Sequence, residues 1–531
     1  MDFQHELRQA LQQRSVSAEK RPAQQFANLE LLSQFPKTAI IENLLCRYYT
    51  DVHPHFPVAY IPDISRAFSS VWYNSNVPHW SFLALICSTL ACAVWCAPEN
   101  ELIELQTLNT ADWNDGQSLP KDIMSKRKTS SHHFLNLGAK ILELNDYKMN
   151  INLDVLRSLL LRDLTHTVFF NDGERANPEL WATTNLATSI GLHRAGALYG
   201  LEEGVIQQRK AVWTGIQVLS GYQILYCGKP FVPGHNKIDE ASGPQVESKN
   251  SPTDHGAYWS LQRSTADLTI RVFDAIYSIT KPDYSVAEAL DGVIQSCLRI
   301  PTGDPNLFTV NSFREGTRRI RDLNTWIHHH VLRLLLHRPW AARGFRDETF
   351  YASSLQCVTC ARRILHGCCS IDWDAHPNAP VYKAHLAGTL VRGGIHALSM
   401  ILLRMHLEKP RAGDAGTIED WKADADLFRA SLAKCETLAR SMPDKIKTSL
   451  TTLKNLGRSM GYWSDGTTED HIQSDQLFAT EGNATREPES TILSWKGDGT
   501  VSPNWDLQGF GYQDFEQIDW SEFPTGYSDL L

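Results

Sequence analysis

The chain has no apolar run of the roughly 20 residues that a membrane span needs. Its longest, Phe82 to Ala97, is interrupted by Ser88 and Thr89 and reads as a buried helix of a large core. The opening Met1-Asp2-Phe3-Gln4-His5-Glu6 lacks the apolar centre of a secretion signal. Basic charge is not in excess: 51 Lys and Arg stand against 60 Asp and Glu, a net charge of −9. That balance excludes the overall basic footprint that nucleic-acid binding leaves. Eleven cysteines, scattered and odd in number, do not make a disulfide framework and fit a reducing compartment. The expectation is a soluble intracellular protein with no membrane partner. At 531 residues and 42% hydrophobic content it can build either one large domain or two lobes.

Catalytic words are missing too. There is no Gly-x-Gly-x-x-Gly, no Gly-x4-Gly-Lys-Ser/Thr, no Gly-x-Ser-x-Gly and no His-Glu-x-x-His. The Asp-Asp-x-x-Asp cluster of a helical terpene cyclase is also absent. His328-His329-His330 with His337 invites a metal reading, but His330 and His337 lie about two helical turns, roughly 10 Å, apart. The i,i+4 spacing that lets one zinc take two imidazoles is not made. Cys357, Cys360, Cys368 and Cys369 form a second temptation. The residues between them read as continuous helix, which favours buried cysteine acting as a small hydrophobe. The expectation is therefore a non-enzyme with no cofactor and no metal of its own.

What the chain does have is helical periodicity. Residues 1–36 are polar and Gln-rich and read as a tail. From Ile40 apolar residues recur at helical spacing, broken by Pro54, Pro57 and Pro62 and by a polar stretch over 98–122. Leu156, Leu159, Leu160, Leu164 and Val168 mark one helix. Another carries Ala182, Leu186 and Ile190 on one face and stops at Gly191, where only glycine readily takes the left-handed conformation. Val212, Ile216, Leu219, Gln223 and Tyr226 mark the next, ended by Gly228 and Pro230. Further helices are expected over 259–300, 310–338, 350–369, 382–408, 417–441 and 444–463. Period-2 alternation is scarce, so the fold class is all-α. The basic word Lys126-Arg127-Lys128, placed at the end of a loop before a helix, is read either as a nuclear import signal or as solvated charge.

Several words, in order, resemble the regulatory domain of fungal-specific transcription factors, the helical region usually found downstream of a binuclear zinc cluster. His53-Pro54-His55-Phe56-Pro57 followed by Phe68 is similar to that family's opening segment. A Leu-rich helix, a break at Asn171-Asp172-Gly173, a Trp181 helix and Gly191-Leu192-His193-Arg194 resemble its centre. Gln208-Arg209-Lys210 with Trp213 takes the place of a basic-basic-x-x-Trp word, and Gly228-Lys229-Pro230 stands where Gly-Arg-Pro is common. Leu336-His337-Arg338-Pro339-Trp340 is similar to a word that ends a later helix, and Cys357 to Ile364 to the helix that follows. Ser220 and Lys229 depart from the pattern, and the six-cysteine zinc cluster does not occur in this sequence. On residue chemistry, His193 and Arg194 are expected to place cations at a helix C-terminus. Trp181 and Trp213 are expected to be apolar anchors between helices.

The last segment has its own composition. Residues 464–499 read as a disordered linker. Residues 500–531 carry six carboxylates and no Lys, Arg or His, interleaved with seven aromatics that include Trp505, Phe515, Trp520 and Phe523. Acidic repulsion that keeps aromatics exposed is the composition of an activation segment, which would dock on a coactivator or the transcription machinery.

The resemblance implies a nuclear regulator of RNA polymerase II genes, controlling a biosynthetic or catabolic gene set, with residues 37–463 as its helical regulatory domain. DNA would be reached through a partner or through a domain outside this chain, where any zinc would also reside. A dimer is compatible with this. Two other readings stand beside it: a helical enzyme of secondary metabolism, for which no histidine has a partner at catalytic spacing, and a cofactor-like repressor that dimerises with a full-length relative.

Overall fold

A computed structural model describes residues 34–73, 79–102, 123–194, 200–228, 255–276, 283–297, 313–370, 379–408, 415–460 and 462. The polar tail over 1–33, most of the 98–122 stretch and everything from 463 onward, including Trp505, Phe515, Trp520 and Phe523, lie outside the described residues. Among the described residues there is no strand, and the class is all-α.

The helices are α1 (Thr38–Arg47), α2 (Ile61–Trp72), α3 (Trp80–Cys96), α4 (Ile123–Leu144), α5 (Leu153–Leu164), α6 (Gly173–Ser189) and α7 (Glu203–Cys227). They continue as α8 (His255–Ile276), α9 (Tyr284–Cys297), α10 (Phe313–Gly344), α11 (Tyr351–Ser370), α12 (Ala379–Leu407), α13 (Ala415–Leu438) and α14 (Asp444–Ser459). Two π-turns, Tyr48–Val52 and Thr165–Phe169, follow α1 and α5 directly. Ends are set by local chemistry. Asn152 caps α5 by accepting from the Val155 amide at 3.0 Å, and Asp172 caps α6 by accepting from Arg175 at 3.3 Å. Gly191 (φ 67°) and Gly228 (φ 61°) take the left-handed conformation after α6 and α7, as their positions demand.

Two main hydrophobic cores result. The N-terminal one surrounds α3, in which every residue from Ser81 to Cys96 is buried, and draws on α1, α4, α5 and the first half of α7. The C-terminal one gathers α9 to α14 with the end of α7 and part of α8. Its α12 contains His385–Leu407, long and apolar enough by composition to cross a membrane, yet 89% of that apolar window is buried inside the protein. It is a core helix.

The cores meet along a polar seam. His385 Nε2 of α12 donates to the carbonyl of Asp51 in the first π-turn at 2.8 Å, and its ring stacks on His55 at 4.3 Å. Arg392, two turns on, donates to the carbonyl of Asn171 at 2.6 Å. Asn171 is a non-glycine residue at φ 55°, and its side chain occupies the space a Cβ on Gly388 would take: that atom would lie 2.0 Å from Asn171 Oδ1. Gly388 is therefore the point where α12 can close on the N-terminal core.

Four expectations need correction. The face of α6 is rotated from the predicted one: Leu180, Thr183, Thr184 and Ala187 are buried, Ala182 is exposed, and Trp181 stands 49% exposed. Apolar character alone assigns alanine and tryptophan to the core, whereas Thr183 and Thr184 can bury their hydroxyls by bonding the carbonyls of Glu179 and Leu180 within the helix. The 259–300 helix is two helices, α8 and α9. Pro339 does not end α10, which runs on to Gly344; proline removes one amide bond, and packing of Trp340 and Ala341 in the core outweighs that loss. Lys126-Arg127-Lys128 lies inside α4. There Arg127 is buried and donates to the carbonyl of Ala97 at 2.9 Å, while Lys126 faces Glu99 at 3.8 Å. The guanidinium at the centre of that word is thus committed to the fold.

Candidate functional site

The polar residues of the interior converge on α10. Its exposed-looking sequence is deceptive: Arg321, Asn324, Thr325, His328, His329, His330, Arg333, His337 and Arg338 are all buried. The helix is the pillar of the C-terminal core, packed by α8, α9, α11 and α12, so polar side chains on every face must find partners within the protein.

Toward α7 and α8, Asn324 donates to the Tyr222 hydroxyl, and Gln262 donates to Thr325 Oγ1 at 2.9 Å. The His328 ring stands edge-on to Tyr222 at 4.5 Å and near Tyr226 at 5.3 Å. Burial, with the neighbouring His329, pushes the His328 imidazole down to about 3, so it is neutral at physiological pH. Its Nε2 is buried and has no hydrogen-bond partner. A narrow cleft is lined by His328, Tyr222, Gln262, Thr265, Thr269, Val218 and Leu225 among others. Val218 belongs to the N-terminal core, Leu225 to the C-terminal one, and Tyr222 packs against both. The floor is tight: a Cβ on Gly221 would come within 2.8 Å of the Ala266 backbone. This lining carries no formal charge, because burial keeps the His328 imidazole unprotonated and the Tyr222 phenol protonated. The cleft has room for about one water beside the imidazole.

Toward α9 and α11 the same helix makes a different constellation. Arg333 grips Asp291 with both arms, Nη2 to Oδ2 at 2.8 Å. His337 Nε2 lies 3.3 Å from Asp291 Oδ1, and its Nδ1 is 2.9 Å from Ser353 Oγ. The Tyr284 hydroxyl closes on the same Ser353 oxygen at 3.0 Å. Burial alone would raise the Asp291 carboxyl, but Arg333 and His337 outweigh it and hold it well below the usual carboxylate range. His337 therefore does have partners at catalytic spacing, contrary to the expectation from sequence. The order Asp–His–Ser matches the roles of a hydrolytic relay. The surroundings do not: Ser353 is fully buried, its oxygen is covered by Tyr284, and the carboxylate is committed to Arg333. In this arrangement the three act as a bolt that ties α9 and α11 to α10.

The other predicted residues are placed as follows. Gly191 and Leu192 close α6, with the Leu192 amide reaching the Ala187 carbonyl at 3.0 Å. His193 is half-buried 6.0 Å from the Trp213 ring, and burial together with Arg194 and Arg209 lowers it, so it is not the cation expected at this helix end. Arg194 is exposed. The charge that meets the α6 C-terminus comes from Arg209, whose Nη2 donates to the Ile190 carbonyl at 3.0 Å. Lys210 is half-buried beside it on α7, and Trp213 is buried in the N-terminal core as expected. Ser220 turns its hydroxyl back to the Ile216 carbonyl at 2.7 Å. Lys229 and Pro230 lie outside the described residues. Arg338 and Pro339 continue α10.

His329 bonds the Thr325 carbonyl through Nδ1 at 2.9 Å, and His330 sits edge-on to Trp326 at 4.4 Å, pushed down to about 3 by burial and nearby arginines. Cys357 and Cys360 are buried in the unbroken α11, the Cys360 thiol pushed up to about 12 by burial. Among the described residues no group of three or more His, Cys, Asp or Glu side chains is disposed to hold a metal ion. Asp291, Ser353 and Gln262 were missed by sequence reasoning. They lie on other helices than α10, and no spacing rule connects them to it.

An uncharacterized transcriptional regulatory protein of Schizosaccharomyces pombe is 23% identical over 212 residues, covering 35% of this chain and 26% of that protein. The chain thus matches about a quarter of the length of that relative. No family model matches the chain.

Proposed function

We propose that this protein is a transcriptional regulator, of the fungal-specific type, in which the helical region governs a C-terminal activation segment. The observation that carries this reading is the similarity to a transcriptional regulatory protein, over a chain whose described part is all-α. The reading places the protein in the nucleus, acting on RNA polymerase II genes of a biosynthetic or catabolic set. DNA is reached through a partner or a domain outside this sequence. Activation resides in residues 500–531, with Trp505, Phe515, Trp520 and Phe523 docking on the transcription machinery or a coactivator. Lys126 and Lys128 contribute to nuclear import only if Arg127 is released from Ala97.

The test is a reporter driven by residues 500–531 fused to an unrelated DNA-binding domain. Strong expression is expected, and replacing the four aromatics by alanine should abolish it. A silent fusion, or one indifferent to the four alanines, overturns the activation reading. The rival reading is an enzyme, for which the Asp291–His337–Ser353 group offers the residue types of a hydrolase but not an accessible serine. A fluorophosphonate probe settles that rival: labelling of Ser353 in the native chain would support it, and no labelling is expected.

A further inference from the structure

Cysteine collects at one place in the C-terminal core. Cys368 and Cys369 stand at the end of α11, and Cys435 comes from α13, which lies alongside it. Cys368 and Cys435 are fully buried, and the Cys368 thiol donates to the Leu390 carbonyl of α12 at 3.7 Å. Gly394 of α12 supplies the room. A Cβ there would lie 2.8 Å from Cys435 Sγ and 3.9 Å from Cys368 Sγ, so both sulfurs rest on the same bare stretch of helix. Cys369, the next residue of α11, is turned to the surface, where its Sγ meets Ser431 Oγ at 3.2 Å. Ser431 and Cys435 are one helical turn apart on α13, so the exposed thiol sits beside the buried pair.

We propose that Cys368 and Cys435 are a modification site: a reversible disulfide that forms when the chain meets a peroxide and staples α11 to α13. In the first step the thiolate of one cysteine attacks a peroxide oxygen; the O–O bond breaks, leaving a sulfenic acid and, for hydrogen peroxide, water. In the second the partner thiolate attacks the sulfenic sulfur, the S–S bond forms, and hydroxide leaves as water with the remaining proton. Two thiols and one hydrogen peroxide become one disulfide and two waters. The contact with Cys435, together with burial, raises the Cys368 thiol well above its usual range, so the thiolate is scarce and the first step is slow. The site answers sustained oxidant, with local opening near the exposed Cys369 as the route in. Because α13 leads directly to α14 and the C-terminal segment, the staple would fix the helices from which that segment departs.

The experiment is peptide mapping of the full native chain after hours in millimolar hydrogen peroxide. The oxidant is quenched, free thiols are alkylated in denaturant, and the digest is run without reductant. A Cys368–Cys435 cross-linked peptide is expected in most chains, vanishing with dithiothreitol, lost in Cys368→Ser and in Cys435→Ser, and retained in Cys369→Ser. Three results overturn the proposal: oxidation of Cys369 alone, a disulfide that runs through Cys369 instead, or a cross-link that appears only after denaturation. Mapping of the unaltered chain decides among these even if a serine variant fails to fold.

Discussion

Helices α3 and α10 are both buried, each the centre of its own core, and they differ in almost everything else. From Ser81 to Cys96, α3 is apolar apart from two serines and a threonine, small hydroxyls met by the helix's own Leu85 carbonyl (Thr89) or by Ser158 of α5 (Ser88). The buried part of α10 instead carries four histidines and three arginines, each needing a partner on another element or a neutral state. An apolar core helix can be packed by many sequences of suitable volume. A polar one works only with particular partners at particular places. Packing around α3 is therefore the more tolerant of substitution, and packing around α10 the more specified.

The largest effect should come from breaking the bolt on α10. Asp291→Ala strands Arg333 in the interior and should destabilise the chain by about 3–5 kcal/mol in denaturant titration. Replacing Asp291 and Arg333 together by leucine should recover most of that loss. Leu90→Ala in α3 should cost about 2–5 kcal/mol, with no charge partner whose removal repairs it. If the double leucine variant is as damaged as the single, the two cores do not differ in the way argued.

Acid should weaken both cores, since His166 of the second π-turn is pushed down to about 3 by burial, like His328 and His330 of α10. His328 and His330 are held at about 3 in the fold, against an unfolded value near 6.5. Between those limits the unfolded chain binds more protons, so stability falls as pH drops below about 6.5 and keeps falling to about 3. Each such histidine contributes roughly 1.4 kcal/mol per pH unit in that window. His385 at the seam, held at about 4, adds to the loss over the narrower range. Thermal melts from pH 7 to pH 5 should show a steep decline, and His328→Gln with His330→Gln should lessen it while His166, His385 and His396 keep the remainder.

A smaller effect is expected at the seam. Gly388→Ala forces a Cβ into Asn171 and should cost about 1–3 kcal/mol by overpacking. Loss of the Arg392–Asn171 contact should then appear as faster amide exchange in the second π-turn. The smallest effect belongs to Trp181, which is half-exposed on α6. Trp181→Ala should change stability by less than about 0.5 kcal/mol, whereas the buried Trp213→Ala should cost about 3–5 kcal/mol. Equal costs would mean that Trp181 packs as the sequence suggested.

The Trp181 contrast shows where the sequence was legible. Helix class, the stops at Gly191 and Gly228, the continuous helix through Cys357 and Cys360 and the buried Phe82 to Ala97 run could all be read from periodicity and turn chemistry. The rotation of α6 could not, because threonine can be core or surface depending on whether its hydroxyl bonds back to its own helix. The site was less legible still. His337 was visible as part of a word, but Asp291 and Ser353 come from helices on either side of α10, with nothing in their local sequence to single them out.

What this sequence determined by itself is therefore whatever depends on residues three or four apart: that the described chain is helical, where several of its helices stop, and which run is apolar enough to be buried all round. Hydrogen bonding along one helix and the cost of exposing aliphatic surface are local and additive enough to be read in order. The tertiary structure alone decided that a helix as polar as α10 would be a pillar, that Arg127 would be core and Trp181 surface, and that Arg209 and not His193 would supply the charge at the end of α6. Burying a polar group depends on a partner brought from elsewhere in the chain, and that partner exists only once the helices have met.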